Sequence, residues 1–178
     1  MKKLIFILAV SVLAVSCSKE DDATGTGISN VSSAYKPMVV EYTANWCGPC
    51  GGFGVPAWEE THAAYTYKIT GISMHPSDGV SDGNSPAQLA LKAFWSFSGT
   101  PSTALNTSPK YYPSTSAIAN NINAVKNTKA NAGVGITKTL SGNTLTINTK
   151  TVCFNDIAGD VYLAVYVVEN GISSSQAG

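Results

Sequence analysis

The stretch of this 178-residue chain that decides its fold is Trp46-Cys47-Gly48-Pro49-Cys50. Two cysteines separated by two residues, at the start of a helix, place their sulfurs close enough to form a small disulfide ring. The free N–H groups and the dipole of the helix N-terminus favour a thiolate on the first cysteine. A thiolate attacks a disulfide, and a second thiol then resolves the mixed disulfide. The motif therefore predicts thiol–disulfide exchange, with Cys47 as nucleophile and Cys50 as resolving thiol.

Zinc binding and a structural disulfide are the alternatives for this cysteine pair. A zinc site needs two more ligands at compatible spacing. The chain offers Cys17, Cys153, His62 and His75, without a second Cys-x-x-Cys or a His-x-x-x-His. We therefore expect no metal and no cofactor, whereas the structural disulfide stays open. For the other candidates we expect an exposed loop position for His75, with a position near a substrate or metal as its alternative, and a surface or hydrogen-bonded position for His62. At Cys153 we expect a buried free thiol, with pairing to a cysteine beyond residue 178 as its alternative.

The charge composition argues against a nucleic-acid partner. Charged residues make up only 12% of the chain, and the formal net charge is zero. Every cationic side chain is lysine, and there is no basic run in the body of the chain. The absence of arginine also disfavours a site that grips phosphate through two parallel hydrogen bonds.

The N-terminus has the pattern of a targeting segment. Lys2 and Lys3 precede an apolar run over residues 4–15, which is shorter than the roughly 20 residues that span a bilayer. Small residues then lead directly to Cys17, as in a bacterial lipoprotein signal. We predict cleavage of residues 1–16 and attachment of lipid, palmitate included, to Cys17. The alternative is an ordinary secretory signal with a chance cysteine.

Residues 17–34 are rich in small and polar side chains and predict a flexible tether. The acidic cluster within residues 18–22 resembles the export tag of Bacteroidota surface lipoproteins, and a solvated polar tether is its alternative. Export places the chain in the cell envelope, where disulfides persist. A partner must then keep the dithiol reduced or oxidised.

Hydrophobic periodicity predicts an α/β domain over residues 35–130 and an all-β segment over residues 131–178. The predicted elements are a strand over 37–43, a helix to about 68 with a kink at Pro56, a strand over 67–74, a helix over 85–97 capped by Ser85, a strand over 102–106 and a helix over 114–130. Alternating strands follow, with a long apolar strand over 161–168. Because so few strands follow, we expect a partial, sandwich-like β domain that is incomplete in this chain.

This order of elements resembles the thioredoxin fold, which implies a three-layer α/β/α domain. The second anchor of the resemblance is Thr100-Pro101, in the position of the proline that precedes the third strand and faces the dithiol. The resemblance implies a cis peptide bond before Pro101 and a Thr100 backbone that pairs with a substrate chain; a trans turn proline is the alternative. It also implies that Trp46, Gly48 and Pro49 contact the substrate.

Glu41 lies six residues before Cys47, where thioredoxin-like proteins often carry a buried acid. Such an acid, with a pKa raised by burial, can accept the proton as Cys50 attacks. Strand alternation leaves an outward-facing glutamate equally open. One departure from the thioredoxin pattern is Gly51-Gly52, which weakens the first helical turn after the dithiol.

The chain also resembles a Bacteroidota family of outer-membrane lipoproteins with a thioredoxin-like domain followed by a β domain. The stretches that carry this resemblance are residues 71–78 and 166–172. We therefore expect a lipid-anchored thiol–disulfide oxidoreductase on the outer membrane, facing the periplasm or the cell surface. Its partners would be disulfides of envelope proteins and an electron donor of unknown identity. The alternative is a non-catalytic surface lipoprotein whose thioredoxin-like scaffold binds a protein or a glycan.

Overall fold

The computed structural model describes residues 13–14, 27–28, 30–76, 78–81, 83, 85–106, 108–110 and 114–178, with the backbone alone at 13–14 and 108–110. The predicted cleavage site, the lipidation site Cys17 and the acidic cluster within 18–22 lie outside these residues. Within the described part of the chain, no helix has the length and apolar character needed to cross a bilayer.

The elements follow one another in the predicted order, apart from two short strands over Leu13–Ala14 and Ser108–Lys110 that the sequence did not predict. The elements are β1 (Leu13–Ala14), β2 (Met38–Tyr42), a π-helix (Cys50–Gly54), α1 (Val55–Ala64), β3 (Thr70–Met74), α2 (Pro86–Phe94), β4 (Ser102–Leu105), β5 (Ser108–Lys110), α3 (Thr115–Val125), β6 (Ala132–Ser141), β7 (Thr144–Cys153) and β8 (Tyr162–Leu163). They belong to two compact units. Of the described residues, those within Lys36–Asn127 and Val167–Gly178 form one unit, and those within Thr128–Tyr166 and up to Tyr35 form the other.

A four-stranded sheet in the order β3-β2-β4-β5 forms the centre of the first unit. β2 pairs in parallel with β3 and antiparallel with β4. β2 is therefore a central strand, and helices cover both of its faces. Val39 packs with Ile118 and Ile122 of α3 and Ala57 of α1, whereas Val40 packs on the opposite face. These layers confirm the thioredoxin-like α/β/α architecture.

The opposite face of the sheet is built around aromatic side chains. Val40 and Tyr42 lie there with Trp95 and Phe97, and Leu91 of α2 packs against the same cluster. The Tyr42 and Phe97 rings stack with centroids 4.9 Å apart. α2 begins as expected, because the Ser85 side chain accepts a hydrogen bond from the Gln88 N–H.

Three predicted elements have different bounds. Pro56 is the second residue of α1, directly after the π-helix, and α1 ends at Ala64 instead of about residue 68. β3 begins at Thr70 because Tyr67 lies in a turn with φ 67°. The long apolar strand over 161–168 is wrong, since only Tyr162–Leu163 form a strand, paired with β1.

The second unit is strand-rich, in agreement with the predicted β segment. β6 and β7, each ten residues long, form an antiparallel hairpin that turns at Gly142, where φ is 57°. Ala34 bridges Lys129, and a Cβ at Gly133 would lie 2.7 Å from the Val31 side chain, so the last residues of the predicted tether pack against this unit. The expectation of a free thiol at Cys153 is wrong, because Cys153 is disulfide-bonded.

Candidate active site

The dithiol lies directly after the central strand of the sheet. β2 ends at Tyr42, and a short loop leads to Cys47, whose N–H donates to the Ala44 carbonyl at 3.1 Å. Helical structure then begins at Gly48. Cys47 and Cys50 form a disulfide with a Cα–Cα distance of 5.2 Å. The short spacing and the helix start therefore bring the two sulfurs together as the sequence predicts.

The helix that follows the dithiol opens as a π-helix. Over Cys50–Gly54 its turns are wide, and the Val55 N–H bonds the Cys50 carbonyl five residues earlier. Three of these five residues are glycine, whose missing Cβ and freer backbone permit the unusual turn. At Gly51-Gly52, where the sequence predicts a weakened first turn, the helix thus has a wider, π-helical turn.

The environment of Cys47 favours its reactive form. The Cys50 N–H is shared between Cys47 Sγ and the Cys47 carbonyl oxygen, and it lies 3.1 Å from each. A backbone N–H aimed at sulfur stabilises a thiolate over a thiol. Cys47 is 5% exposed and Cys50 is fully buried. Both cysteines are thus nearly covered, and Cys47 is the slightly more accessible of the two.

The peptide bond between Thr100 and Pro101 is cis, as the resemblance implies. Pro101 is buried and Thr100 is half-buried. A Cβ at Gly54 would lie only 2.9 Å from Pro101 Cβ, so the end of the π-helix packs directly against this proline. Sequence positions about fifty residues apart therefore meet beside the dithiol.

Glu41 is buried, and the alternative of an outward-facing glutamate is wrong. It is 4% exposed, because β2 is covered on both faces. The pKa of Glu41 is raised from 4.5 to about 7, mainly because burial disfavours the charged carboxylate. The hydrogen bond from Ser73 opposes this shift, and the nearby Glu59 charge adds to it. Ser73 Oγ donates to Glu41 Oε2 at 2.8 Å, whereas Oε1 has no hydrogen-bond partner among the described residues.

A polar cluster that the sequence did not reveal holds the loop before the dithiol. Asp78 Oδ2 accepts the Asn45 N–H at 3.0 Å and lies 2.7 Å from His75 Nδ1, and Asn45 Nδ2 donates to the Asp78 carbonyl at 3.0 Å. Asp78 Oδ1 accepts the Val80 N–H. Burial raises the pKa of Asp78, but the hydrogen bonds and the His75 charge lower it further, so the net shift is downward.

His75 is therefore not the isolated loop histidine that the sequence suggested. It is half-buried and paired with Asp78, whose side chain is fully covered. His62 lies on α1 with its ring 5.9 Å from that of Trp58. Within the described ranges, no group of three or more His, Cys, Asp or Glu side chains has a metal-binding arrangement.

Residues around the disulfide present an exposed surface. Trp46 is 61% exposed, Pro49 is exposed and Gly48 is half-buried. A large exposed aromatic beside a buried disulfide is a typical contact site for a peptide. The structure thus places the three predicted contact residues next to the sulfurs, on the solvent side.

The fold and the dithiol together define the class: residues of the first unit form a thioredoxin-like domain. Residues 26–94 match the family described as Thioredoxin. The structure of HBP35 of Porphyromonas gingivalis is similar, with 18% identity and a TM-score of 0.47, over 62% of this chain and 39% of that chain. This chain thus spans well under half the length of that protein.

Two further solved structures are similar to the chain. A malarial protein is 18% identical with a TM-score of 0.38, over 51% of this chain and 98% of its own. The oxidised thioredoxin from Plasmodium falciparum is 21% identical with a TM-score of 0.37, over 53% of this chain and 85% of its own. No curated protein matches the chain.

Proposed function

We propose that this protein is a thiol–disulfide oxidoreductase of the bacterial cell envelope. The observation that carries the proposal is the Cys47–Cys50 disulfide at a helix start, with the Cys50 N–H directed at Cys47 Sγ. Reduced Cys47 attacks a substrate disulfide, forms a mixed disulfide and expels one substrate thiolate. Cys50 then attacks Cys47 Sγ, which releases the second substrate thiolate and restores the disulfide.

Glu41 is the proposed proton acceptor for Cys50. A group with a pKa of about 7 exchanges protons readily near neutral pH. Oε1, which has no partner among the described residues, is the free acceptor atom of this carboxyl group. Thr100 and Pro101 form the proposed docking element for the substrate chain, together with Trp46, Gly48 and Pro49.

A dithiol of the electron donor completes the cycle by reducing the Cys47–Cys50 disulfide and becoming oxidised itself. The substrates are disulfides of other envelope proteins. The lysine pair, apolar run and following Cys17 support lipid attachment and an outer-membrane location. Loss of palmitate labelling in Cys17→Ser, with labelling retained in Cys153→Ser, would support the anchor; labelling of both variants would exclude it.

The redox function is tested with the chain lacking residues 1–16. It should reduce a disulfide-bonded protein when a dithiol reductant is supplied, and Cys47→Ser should abolish this activity. Cys50→Ser should instead accumulate a mixed disulfide through Cys47. Equal activity of Cys47→Ser and the parent would reject the function.

The rival function, a binding protein with a structural disulfide, is distinguished by the reduction potential of the Cys47–Cys50 pair. A value between about −270 and about −180 mV is typical of oxidoreductases, whereas structural disulfides lie below about −300 mV. The potential must be measured on the peptide that contains both cysteines, by alkylation and mass spectrometry. Cys153 is also disulfide-bonded and would otherwise contribute to the signal.

A further inference from the structure

Another segment of the same compact unit packs against the loop that holds the dithiol. Residues 176–178, here called the capping segment, lie against the loop and the first turn of the π-helix. The Ala177 N–H donates to the Asn45 carbonyl at 2.8 Å. Gln176 Nε2 lies 2.9 Å from the Ala44 carbonyl oxygen and 3.2 Å from that of Cys47. The loop thus offers a strip of carbonyl acceptors, and the capping segment supplies the donors.

A carboxamide side chain suits this strip for a chemical reason. The Gln176 amide carries two N–H groups and can donate to two carbonyl oxygens at once. The Ala44 carbonyl also accepts the Cys47 N–H, and the Cys47 carbonyl also accepts the Cys50 N–H. The Cys47 carbonyl also accepts the Gly51 N–H at 3.3 Å, so the Gln176 amide uses the free lone pair of the Ala44 carbonyl and adds a third donor at Cys47. A carboxylate in its place would face these oxygens with negative charge and no donor.

The two glycines after the dithiol differ sharply in what surrounds them. A Cβ at Gly51 would collide with the Ala177 carbonyl, whereas a Cβ at Gly52 would meet open space. A side chain at Gly178 would in turn collide with the Gly48 carbonyl and lie 2.8 Å from the Gly52 nitrogen. Close backbone approach thus gives a second reason for glycine at position 51, beside the freer backbone that the π-helical turn uses.

We propose that the carbonyl strip of Ala44, Asn45 and Cys47 is a docking surface for an extended peptide with a glutamine side chain. In this chain residues 176–178 occupy the strip and restrict access to the adjacent disulfide. With the capping segment in place, Cys47 is only 5% exposed. The consequence for turnover rests on the proposed redox function, but the docking itself does not.

The matched pair Gly51→Ala and Gly52→Ala tests the docking, because both change a glycine of the same π-helix. The measurement is the rate at which dithiothreitol reduces the Cys47–Cys50 disulfide, followed by alkylation and mass spectrometry. Gly51→Ala should react about tenfold faster than the parent, since each net hydrogen bond corresponds to roughly two- to tenfold in an equilibrium. Gly52→Ala should react at the parental rate. Equal rates for the two variants would overturn the proposal.

A second variant pair does not touch the helix. Gln176→Glu should also accelerate reduction about tenfold, and Gln176→Ala should lie between it and the parent. Millimolar amounts of a synthetic peptide with the sequence of residues 172–178 should slow reduction of Gln176→Glu and leave Gly51→Ala unaffected. A peptide that slows neither variant would contradict a docking surface.

The outcomes separate this proposal from the redox function. Loss of protein-disulfide reduction in Cys47→Ser tests the redox function alone. The dithiothreitol rates of the glycine variants test the capping segment even in a protein without physiological activity. Hydrogen exchange of the Ala177 N–H adds a direct readout, because it should be slow in the parent and in Gly52→Ala and fast in Gly51→Ala.

Discussion

Ser73 Oγ donates a 2.8 Å hydrogen bond to Glu41 Oε2 across the parallel pair of β2 and β3. The two residues are directly opposite in the ladder, yet Glu41 is buried whereas Ser73 is exposed. The hydroxyl thus connects a buried acid to the surface of the domain. Burial raises the pKa of Glu41 and the Ser73 hydrogen bond lowers it. Two predictions about the titration of Glu41 follow from these opposing effects.

Replacement of Glu41 by glutamine should flatten the pH dependence of stability. The folded-state pKa of about 7 lies above the ordinary 4.5, so the folded protein binds the proton more tightly. Stability should therefore be highest below pH 4.5, fall as pH rises to about 7 and level off above that value. Relative to Glu41→Gln, the parent should lose about 3 kcal/mol across this window.

The measurement is urea unfolding of both proteins from about pH 4 to about pH 8. Glu59→Gln is the matched control, because it removes an exposed carboxylate of α1 close to the same acid. It should keep most of the parental pH dependence. A parent and a Glu41→Gln variant with parallel pH profiles would show that Glu41 titrates normally.

Replacement of Ser73 by alanine should raise the pKa of Glu41 above about 7. The Ser73 hydrogen bond lowers this pKa, so its removal leaves burial less opposed. Ser73→Thr retains the hydroxyl and should stay close to the parent. The titration can be followed through the side-chain carboxyl carbon of Glu41 by NMR. An unchanged or lower midpoint in Ser73→Ala would mean that the hydroxyl does not stabilise the carboxylate.

The sequence predicts the dithiol and the cis proline correctly, but it does not decide whether a side chain on the central strand β2 is buried. The motif predicts a disulfide at a helix start from local chemistry, whereas Thr100-Pro101 indicates the cis bond through the resemblance to the thioredoxin fold. The environment of Glu41 could not be decided, because alternation identifies a buried face only where the other face is exposed. β2 is covered on both faces, so all of its residues after Met38 are buried, whichever face their side chains point to.

Contacts between distant loops were beyond the sequence altogether. Asp78 meets Asn45 across 33 positions, and Gln176 meets Ala44 across 132. Neither pair shares an element or a spacing rule, so no periodic signal exists for it. The acid-rich, glycine-rich loop after His75 was the available clue, since Asp commonly accepts backbone N–H groups in such turns. The wrong expectation for Cys153 has the same cause, because a disulfide partner cannot be read from one cysteine.

Truncation to alanine should affect the stability of the protein little at Trp46 and strongly at Trp95. Trp46 is 61% exposed, so Trp46→Ala should change the free energy of unfolding by less than about 0.5 kcal/mol. Trp95 is 1% exposed and its indole N–H donates to the Asn106 carbonyl at 2.7 Å. Trp95→Ala should therefore cost about 3–5 kcal/mol. Denaturant unfolding measures both values.

The Trp46 side chain should matter for activity, although it contributes little to stability. Trp46→Ala should raise KM for a protein disulfide, because it removes exposed aromatic surface beside the sulfurs. Its reaction with dithiothreitol should stay within about twofold of the parent, because a small reductant does not need that surface. A KM unchanged by Trp46→Ala would remove this side chain from the substrate contact.

Loss of the Asp78 carboxylate should free the loop that precedes the dithiol. Asp78→Ala leaves the Asn45 and Val80 N–H groups without their acceptor and removes the partner of His75. An unsatisfied, partly buried donor costs about 1–3 kcal/mol. Because the pKa of Asp78 is lowered in the folded state, this contribution is present above the ordinary value of 3.8 and is lost as pH falls through the folded-state pKa.

Amide hydrogen exchange measures the effect residue by residue. The Asn45 and Val80 amides should exchange at least tenfold faster in Asp78→Ala, in proportion to the lost hydrogen bonds. The Thr43 amide is the internal control, because it donates to the Met74 carbonyl at 3.0 Å and not to Asp78. His75→Gln retains a donor toward the carboxylate and should keep Asn45 protected. Equal acceleration at Thr43 and Asn45 would mean that Asp78→Ala unfolds the sheet edge, and the specific tie between Asp78 and the dithiol loop would then be rejected.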